Sequence, residues 1–262
     1  MKTAIKYFKV WWMMSRNSFM QMFAQRFGAI FLLIGKVLRF IFYLSFIYFL
    51  LKGTETLAGY NINQTIFFFL TFSLVDVVSQ FFFREVYRFR PMIVTGSFDL
   101  VLAKPISPLF RSLMGGADIL DLITIPPLII AVYLIGSSLH PSGVETVYFL
   151  LLFVNGLLIA TAFHIAVISL GIITLEIDHT VMIYRDLTSL GRFPVDIYRE
   201  PLRGFLTFLV PVGIMMTLPA KALMGLVNLQ AVVLSFTLSF VLIFLSLKFW
   251  NFALTKYSSA SS

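Results

Sequence analysis

The stretch LQAVVLSFTLSFVLIFLSLKFWNFA, residues 229–253, decides how this chain is built. Its one formal charge is Lys248, and it exceeds the roughly 20 residues that cross a hydrocarbon layer, so it matches lipid rather than water. Working outward from it, four more apolar runs of crossing length lie at about residues 30–51, 62–83, 118–135 and 147–174. The whole composition agrees. Of 262 residues 59% are hydrophobic, 16% aromatic and only 12% charged, against roughly 25% charged in soluble domains. A soluble fold of this length has no core large enough to hide 30 phenylalanines. With no cysteine, disulfides, thiolate metal sites and cysteine nucleophiles are excluded.

The remaining segments are organised around those spans. Residues 1–27 place Lys2, Lys6, Lys9 and Arg16 on one helical side and Ile5, Phe8, Trp12, Phe19, Met22 and Phe23 on another, which predicts an amphipathic helix lying along the membrane surface, with Trp11 and Trp12 at its boundary. Basic residues interrupt any signal-peptide core there, so no removable leader is expected. Gly28 is the expected bend into the bilayer. In the third span Pro126 and Pro127 predict a kink or break. Residues 175–192 carry Glu176, Asp178, His179, Arg185, Asp186 and Arg192, yet topology requires a crossing there, so a polar, bundle-facing fifth helix is expected. Residues 193–226, with four prolines, read as broken short helices at membrane depth. A serine-rich tail, residues 258–262, closes the chain.

The formal charge of +8 is distributed as an orientation signal. Lys2, Lys6, Lys9, Arg16 and Arg26 precede the first span, and Arg84, Arg88, Arg90, Lys104 and Arg111 follow the second, whereas the loops assigned outside hold only Lys52. The expectation is an all-α membrane protein with six transmembrane helices, multi-pass in a bacterial cytoplasmic (inner) membrane, with both termini cytoplasmic. Arg84, Arg88 and Arg90 interleave with Tyr87 and Phe89, but just beside a span such arginines read as anchors to anionic headgroups rather than as a nucleic-acid surface.

Two stretches carry a resemblance: FRPMIVTGSFDLVLAKPISPLFR (residues 89–111) and FPVDIYREPLRGFLTFLVPVGIMMTLPAKALM (residues 193–224). They resemble the permease subunit of type-2 ABC exporters, in the branch with a G-x-x-D-x-x-L-x-K-P cytoplasmic loop and a later F-P-x-x-I-Y-x-x-P stretch. The matching positions are Gly96, Asp99, Leu102, Lys104 and Pro105, then Phe193, Pro194, Ile197, Tyr198, Pro201, Pro211, Pro219 and Ala220. The resemblance implies one permease domain over residues 1–262 that pairs with a second permease copy, identical or related. It also implies that separate ATPase subunits hold the ATP and Mg. The cargo is not identified by the family; the large apolar faces, rich in Phe and Met, favour a lipophilic or amphipathic one.

The resemblance further implies a coupling helix in the cytoplasmic loop, residues 84–117. Gly96 and Ser97 suit a turn, Phe98 begins a short helix, and Lys104-Pro105 stops it. Phe98 and Leu102, four apart, are expected to point together into an apolar groove on the ATPase. In residues 193–226 the gate or cap candidates are Phe193, Pro194, Tyr198, Pro201, Pro211 and Pro219, with Asp196, Arg199, Glu200, Arg203 and Lys221 gathered around them.

Lys36, Arg39 and Asp76 are charges inside spans. At about 1.5 Å per residue they lie roughly 22, 18 and 21 Å below the outer helix ends, so Asp76 is expected to pair with Arg39 or Lys36. Asn155 and His164 read as hydrogen-bonded interior residues that can also meet substrate. The three histidines, His140, His164 and His179, show no HExxH spacing and no cysteine accompanies them, so no metal is expected. No phosphate loop exists, since Gly35-Lys36 is followed by Val37, and no GxSxG elbow exists, so any ATP is hydrolysed by another chain. The rival readings are a membrane anchor or sensor subunit without transport and, more weakly, an intramembrane enzyme.

Overall fold

The computed structural model describes residues 2–258; the last four residues of the serine-rich tail lie outside the described residues, as do the side chains of Lys2 and Arg26. Helix α1 (Lys2–Ala24) meets α2 (Arg26–Thr54) at Gln25, whose φ of −98° and ψ of 52° turn the chain. The bend therefore falls before Gly28, which sits within α2. It needs no glycine, because a negative φ is open to any L residue. Trp11 packs inward against Phe81 and Phe82, and Ser15 accepts a hydrogen bond from the Ala117 amide at 3.1 Å. Ile5, Phe8, Trp12 and Phe23 are left exposed.

Helix α3 (Ile62–Phe83) coincides with the expected second span and starts on a capping box, in which Asn61 and Gln64 exchange hydrogen bonds of 3.0 Å. After it come a 3₁₀ turn (Arg84–Arg88) and three short helices, α4 (Arg90–Val94), α5 (Phe98–Leu102) and α6 (Pro108–Leu113). Helix α7 (Ile119–Ser137) continues through Pro126 and Pro127 without a break. Each proline removes a backbone donor and crowds the carbonyl four residues before it, a cost that a helix in lipid tolerates where neighbours re-satisfy the freed carbonyls. Helix α8 (Gly143–Thr174) opens on a second capping box, Ser142 with Glu145.

Helix α9 (Ile177–Ser189) has only 13 residues. At about 1.5 Å each it is about 20 Å long, short of the roughly 30 Å of hydrocarbon. A 3₁₀ turn at Leu190–Arg192 extends the polar segment, and a second, Val195–Ile197, lies beyond it at the far end of the bundle, beside the residues that precede α3. The ends of this stretch are fixed by contacts with residues flanking α3. Asp178 pairs with Arg90 at 3.3 Å, just past the end of α3, and Asp196 accepts from Tyr60 at 3.0 Å, just before its start. The polar segment thus traverses the bundle antiparallel to α3.

The broken region contains α10 (Leu202–Gly204), π-helical turns at Phe205–Leu209 and Gly213–Thr217, and α11 (Leu218–Leu223), with a bend of 77° between its two arms. Arg203 at one end of this hairpin and Lys221 at the other both reach Asp196, at 2.8 and 2.6 Å. It therefore enters and leaves on one side. Its inner turn packs at mid-depth, where the Met215 carbonyl lies 2.6 Å from where a Cβ on Gly156 would stand and Val212 presses on Gly191. The hairpin is re-entrant.

Helix α12 (Leu229–Lys256) returns across the bundle along α8. Its buried positions, Val232, Ser235, Ser239, Ser246, Trp250 and Ala253, recur at spacings of three, four and seven. In lipid, small residues on such a stripe let backbones approach, which is how helices associate without a hydrophobic driving force. Helices α2, α3, α7, α8 and α12 are each long and apolar enough to cross a membrane. With the polar segment as a sixth pass through the bundle, both termini lie at one end of it, where Lys6 reaches Pro105 and Tyr257 packs on Phe98. Helices α3 and α8 form its centre, while α2 is almost wholly uncovered.

Candidate functional site

At the terminal end the loop after α3 is stitched by charge. Arg111 meets Glu85, Arg84 meets the buried Asp118 at 3.1 Å, and Arg88 donates to Ser18 of α1 at 3.2 Å. Arg84, Arg88 and Arg90, the expected headgroup anchors, hold segments of the same chain together, Arg84 through Asp118, Arg88 through Ser18 and Arg90 through Asp178. Gly96 takes φ +71°, a backbone that favours glycine, and α5 follows.

Phe98 does not face outward. It is fully buried, edge-on to Phe89, Trp250 and Tyr257. In so short a helix the inward positions are Phe98 and Val101, three apart, and the apolar side chains left exposed are Leu100 and Leu102, joined by Val94 of α4. Lys104 and Pro105 are exposed as well, and the Pro105 carbonyl accepts from Lys6 at 2.9 Å. Asp99 is partly covered in α5.

Deeper in the bundle lies a cavity of about 320 Å³ between α2, α3, α7 and α9. Lys36, Arg39 and Asp76 all line it, but they do not pair as expected. Lys36 forms an ion pair with Asp121 of α7, whose side chain is 1% exposed, and Asp76 accepts from Gln80 at 2.8 Å. The depth arithmetic placed these groups at one level; which neighbour each helix face meets is a matter of rotation, and Lys36 is turned to α7 rather than α3. Among the described residues no cation lies within ion-pair distance of Asp76.

Two further cations enter from the polar crossing. Arg185 stands 6.0 Å over the Tyr87 ring, and Arg192 donates to the Tyr43 hydroxyl at 3.2 Å while lying 5.2 Å above that ring. Tyr43 stacks on Phe69 at 4.9 Å and is covered by Phe193. These rings form an aromatic roof over the charged chamber. Phe40 and Ala131 also line a second, apolar cavity of about 620 Å³ next to it between α2 and α7, lined by Leu44, Ile66, Leu70 and Leu134 among others. Asp121 escaped the sequence reading, although an acidic residue in an apolar span is the same signal that picked out Asp76. Tyr43 and Gln80 gave no signal at all.

The other selected residues are placed as follows. Asn155 is fully buried and accepts from Ser239 at 2.6 Å across the α8 and α12 seam. His164 is buried against Phe83 and Tyr184, with Nδ1 2.7 Å from the Ala160 carbonyl. Neither lines the cavity. At the far end, Tyr198 donates to the Leu190 carbonyl at 3.0 Å, Pro194 precedes the 3₁₀ turn that carries Asp196, Pro201 heads α10, Pro211 sits at the hairpin tip and Pro219 is buried in α11. Asp196 is the knot there. Burial raises its carboxyl pKa, but hydrogen bonds from Lys221 and Tyr60 and the charges of Lys221 and Arg203 outweigh that and hold it below its ordinary value. The Tyr60 phenol, raised by burial and by that carboxylate, stays protonated and donates.

No match was found among curated proteins or among solved structures. One family model, described as ABC-2 family transporter protein, matches residues 37–261. That range runs from within α2 to beyond α12 and takes in the cavity, the loop with α5 and the re-entrant hairpin. The chain belongs to the ABC-2 transporter family, as a multi-pass membrane permease component of an ABC transporter, which implies an ABC ATPase as its partner.

Proposed function

We propose that this permease exports a lipophilic or amphipathic substrate across a bacterial cytoplasmic membrane, driven by ATP and Mg held on separate ATPase subunits. The observation that supports it best is the space between α2 and α7, charged at the terminal end, apolar beyond, and bordered by the little-covered helix α2. Such a site takes a molecule with a polar head and an apolar tail from the side.

In this reading the terminal end is cytoplasmic, in line with its excess of Lys and Arg. The loop of residues 84–117 docks the ATPase through Leu100, Leu102 and Val94, with Gly96, Asp99, Lys104 and Pro105 shaping the helix and its stop and Phe98 fastening α5 to α12 from within. Nucleotide-driven movement of α5 then reaches the bundle core through Phe98 and Trp250. Asp196, with Arg203 and Lys221, holds the re-entrant hairpin as a gate on the far side, and a second permease copy completes the translocation path.

The test is reconstitution. The purified chain should bring down an ATPase subunit, and in liposomes the ATPase turnover should rise severalfold with an amphipathic cargo. Stable isolation of the chain without any ATPase, together with turnover indifferent to cargo, would favour the anchor or sensor reading.

A further inference from the structure

Within the permease reading, on which this inference rests, the balance of charge in the groove specifies more than polarity. Lys36, Arg39, Arg185 and Arg192 line the chamber against Asp76 and Asp121, four cations to two carboxylates. Lys36 is consumed by Asp121. That leaves three guanidinium groups facing one carboxylate that is already held by Gln80. Arg39 is exposed to the groove and, among the described residues, has no hydrogen-bond or ion-pair contact, sharing only the field of Asp76 with Arg185 and Arg192. Uncompensated cations at membrane depth are costly and mark functional sites. Guanidinium groups match the oxygens of phosphate and carboxylate in a forked geometry that an ammonium lacks.

On the other side of Phe40 and Ala131 lies the second cavity. Its α2 wall, from Phe40 to Phe49, spans nine helical rises, about 13 Å, and is mostly apolar, with Ser45 and Tyr48 as its polar members. We propose that the groove between α2 and α7 binds an anionic amphiphile, with its phosphate or carboxylate head on Arg39, Arg185 and Arg192 and its alkyl chain laid past Phe40 and Ala131 towards Leu134. A cationic or zwitterionic head would bring positive charge against three guanidinium groups, so the site discriminates by head charge as well as by chain.

The experiment uses the full-length protein in a non-ionic detergent, with a fluorescently labelled dodecyl phosphate followed by anisotropy. Unlabelled dodecyl phosphate should compete; dodecyltrimethylammonium, dodecylphosphocholine and inorganic phosphate at equal concentration should not. Arg39→Gln and Arg185→Gln should each weaken binding about tenfold, the scale of one charge-assisted contact, and Arg39→Lys should recover part of it. Ala131→Trp should block the chain's path and abolish binding. Lys248→Gln, which removes an exposed cation on α12 outside the groove, should change nothing. Equal competition by the cationic or zwitterionic amphiphile overturns the proposal, as does competition by inorganic phosphate alone. So do monodisperse glutamine variants that bind as the parent does, or an altered oligomeric state in them with binding unchanged, which would assign the arginines to a second copy. ATPase co-purification, scored on the same preparation, separates the two levels: failed binding with the ATPase retained removes only the anion site, and loss of the ATPase from the parent removes the permease reading with it.

Discussion

Asp196 gathers three donors from three places in the chain: Tyr60 before α3, Arg203 at the entry of the hairpin and Lys221 at its exit. Because its folded-state pKa lies below the ordinary carboxylate value, its contribution to stability is fully present above about pH 4 to 5. That contribution fades as pH falls from the unfolded value near 3.9 through the lower folded one. Hydrogen exchange in residues 199–226, corrected for intrinsic rates, should therefore rise about tenfold between pH 6 and pH 3, the scale of one charged hydrogen bond lost. Asp196→Asn should show the same rise already at neutral pH. Unchanged exchange in both cases would mean that packing of the hairpin on α8, not the ionic knot, holds it. Asp196 was legible in the sequence as a polar residue in an apolar region. Arg203 and Lys221 were legible as charges gathered near it, but its tie to Tyr60 was not, because that residue lies 136 residues upstream.

At the scale of elements, α5 separates two kinds of apolar residue. Phe98 belongs to the interior, so Phe98→Ala should destabilise the protein by about 3 to 5 kcal/mol, the usual loss for a buried phenylalanine, read as a fall in the melting transition and in monodisperse yield. Leu100→Asp with Leu102→Asp alters exposed positions and should leave the melt within about 0.5 kcal/mol while reducing ATPase co-purification at least tenfold. The opposite pattern, stable Phe98→Ala and unstable Leu100→Asp, would reverse the assignment of the two faces. The sequence located this helix through Gly96 and Lys104-Pro105. Spacing alone could not orient it, since a helix of five residues is aimed by what covers it, here Phe89, Trp250 and Tyr257.

For the molecule as a whole, the six crossings and the re-entrant hairpin make a sharp labelling pattern. The chain has no cysteine, so single cysteines report without background. Cysteines placed at Ser138, Arg199 and Leu226 should react with a membrane-impermeant maleimide from one face, and cysteines at Lys104 and Tyr257 from the other. If Leu202–Leu223 were instead a full crossing, Arg199 and Leu226 would label from opposite faces. The expected sixfold topology places Arg199 and Leu226 together because Arg203 and Lys221 share one carboxylate.

Length and hydropathy alone determined that lipid surrounds this chain and where α2, α3, α7, α8 and α12 lie, because a span must satisfy its backbone within itself and match a fixed thickness. Only α3 has both ends as expected, the others running a few residues further at one end or both. The basic bias of the two segments at one end and the need for an even number of crossings led to the expectation of a polar crossing at residues 175–192, where the structure places the polar helix α9 and the turn after it. What only the tertiary structure decided was rotation and partner: that Lys36 faces Asp121, that Phe98 turns inward, that Gln25 makes the bend, and that four cations from α2 and the polar crossing converge on one groove. The period of a helix says which residues share a face. Only the neighbours packed around it say which way that face is turned.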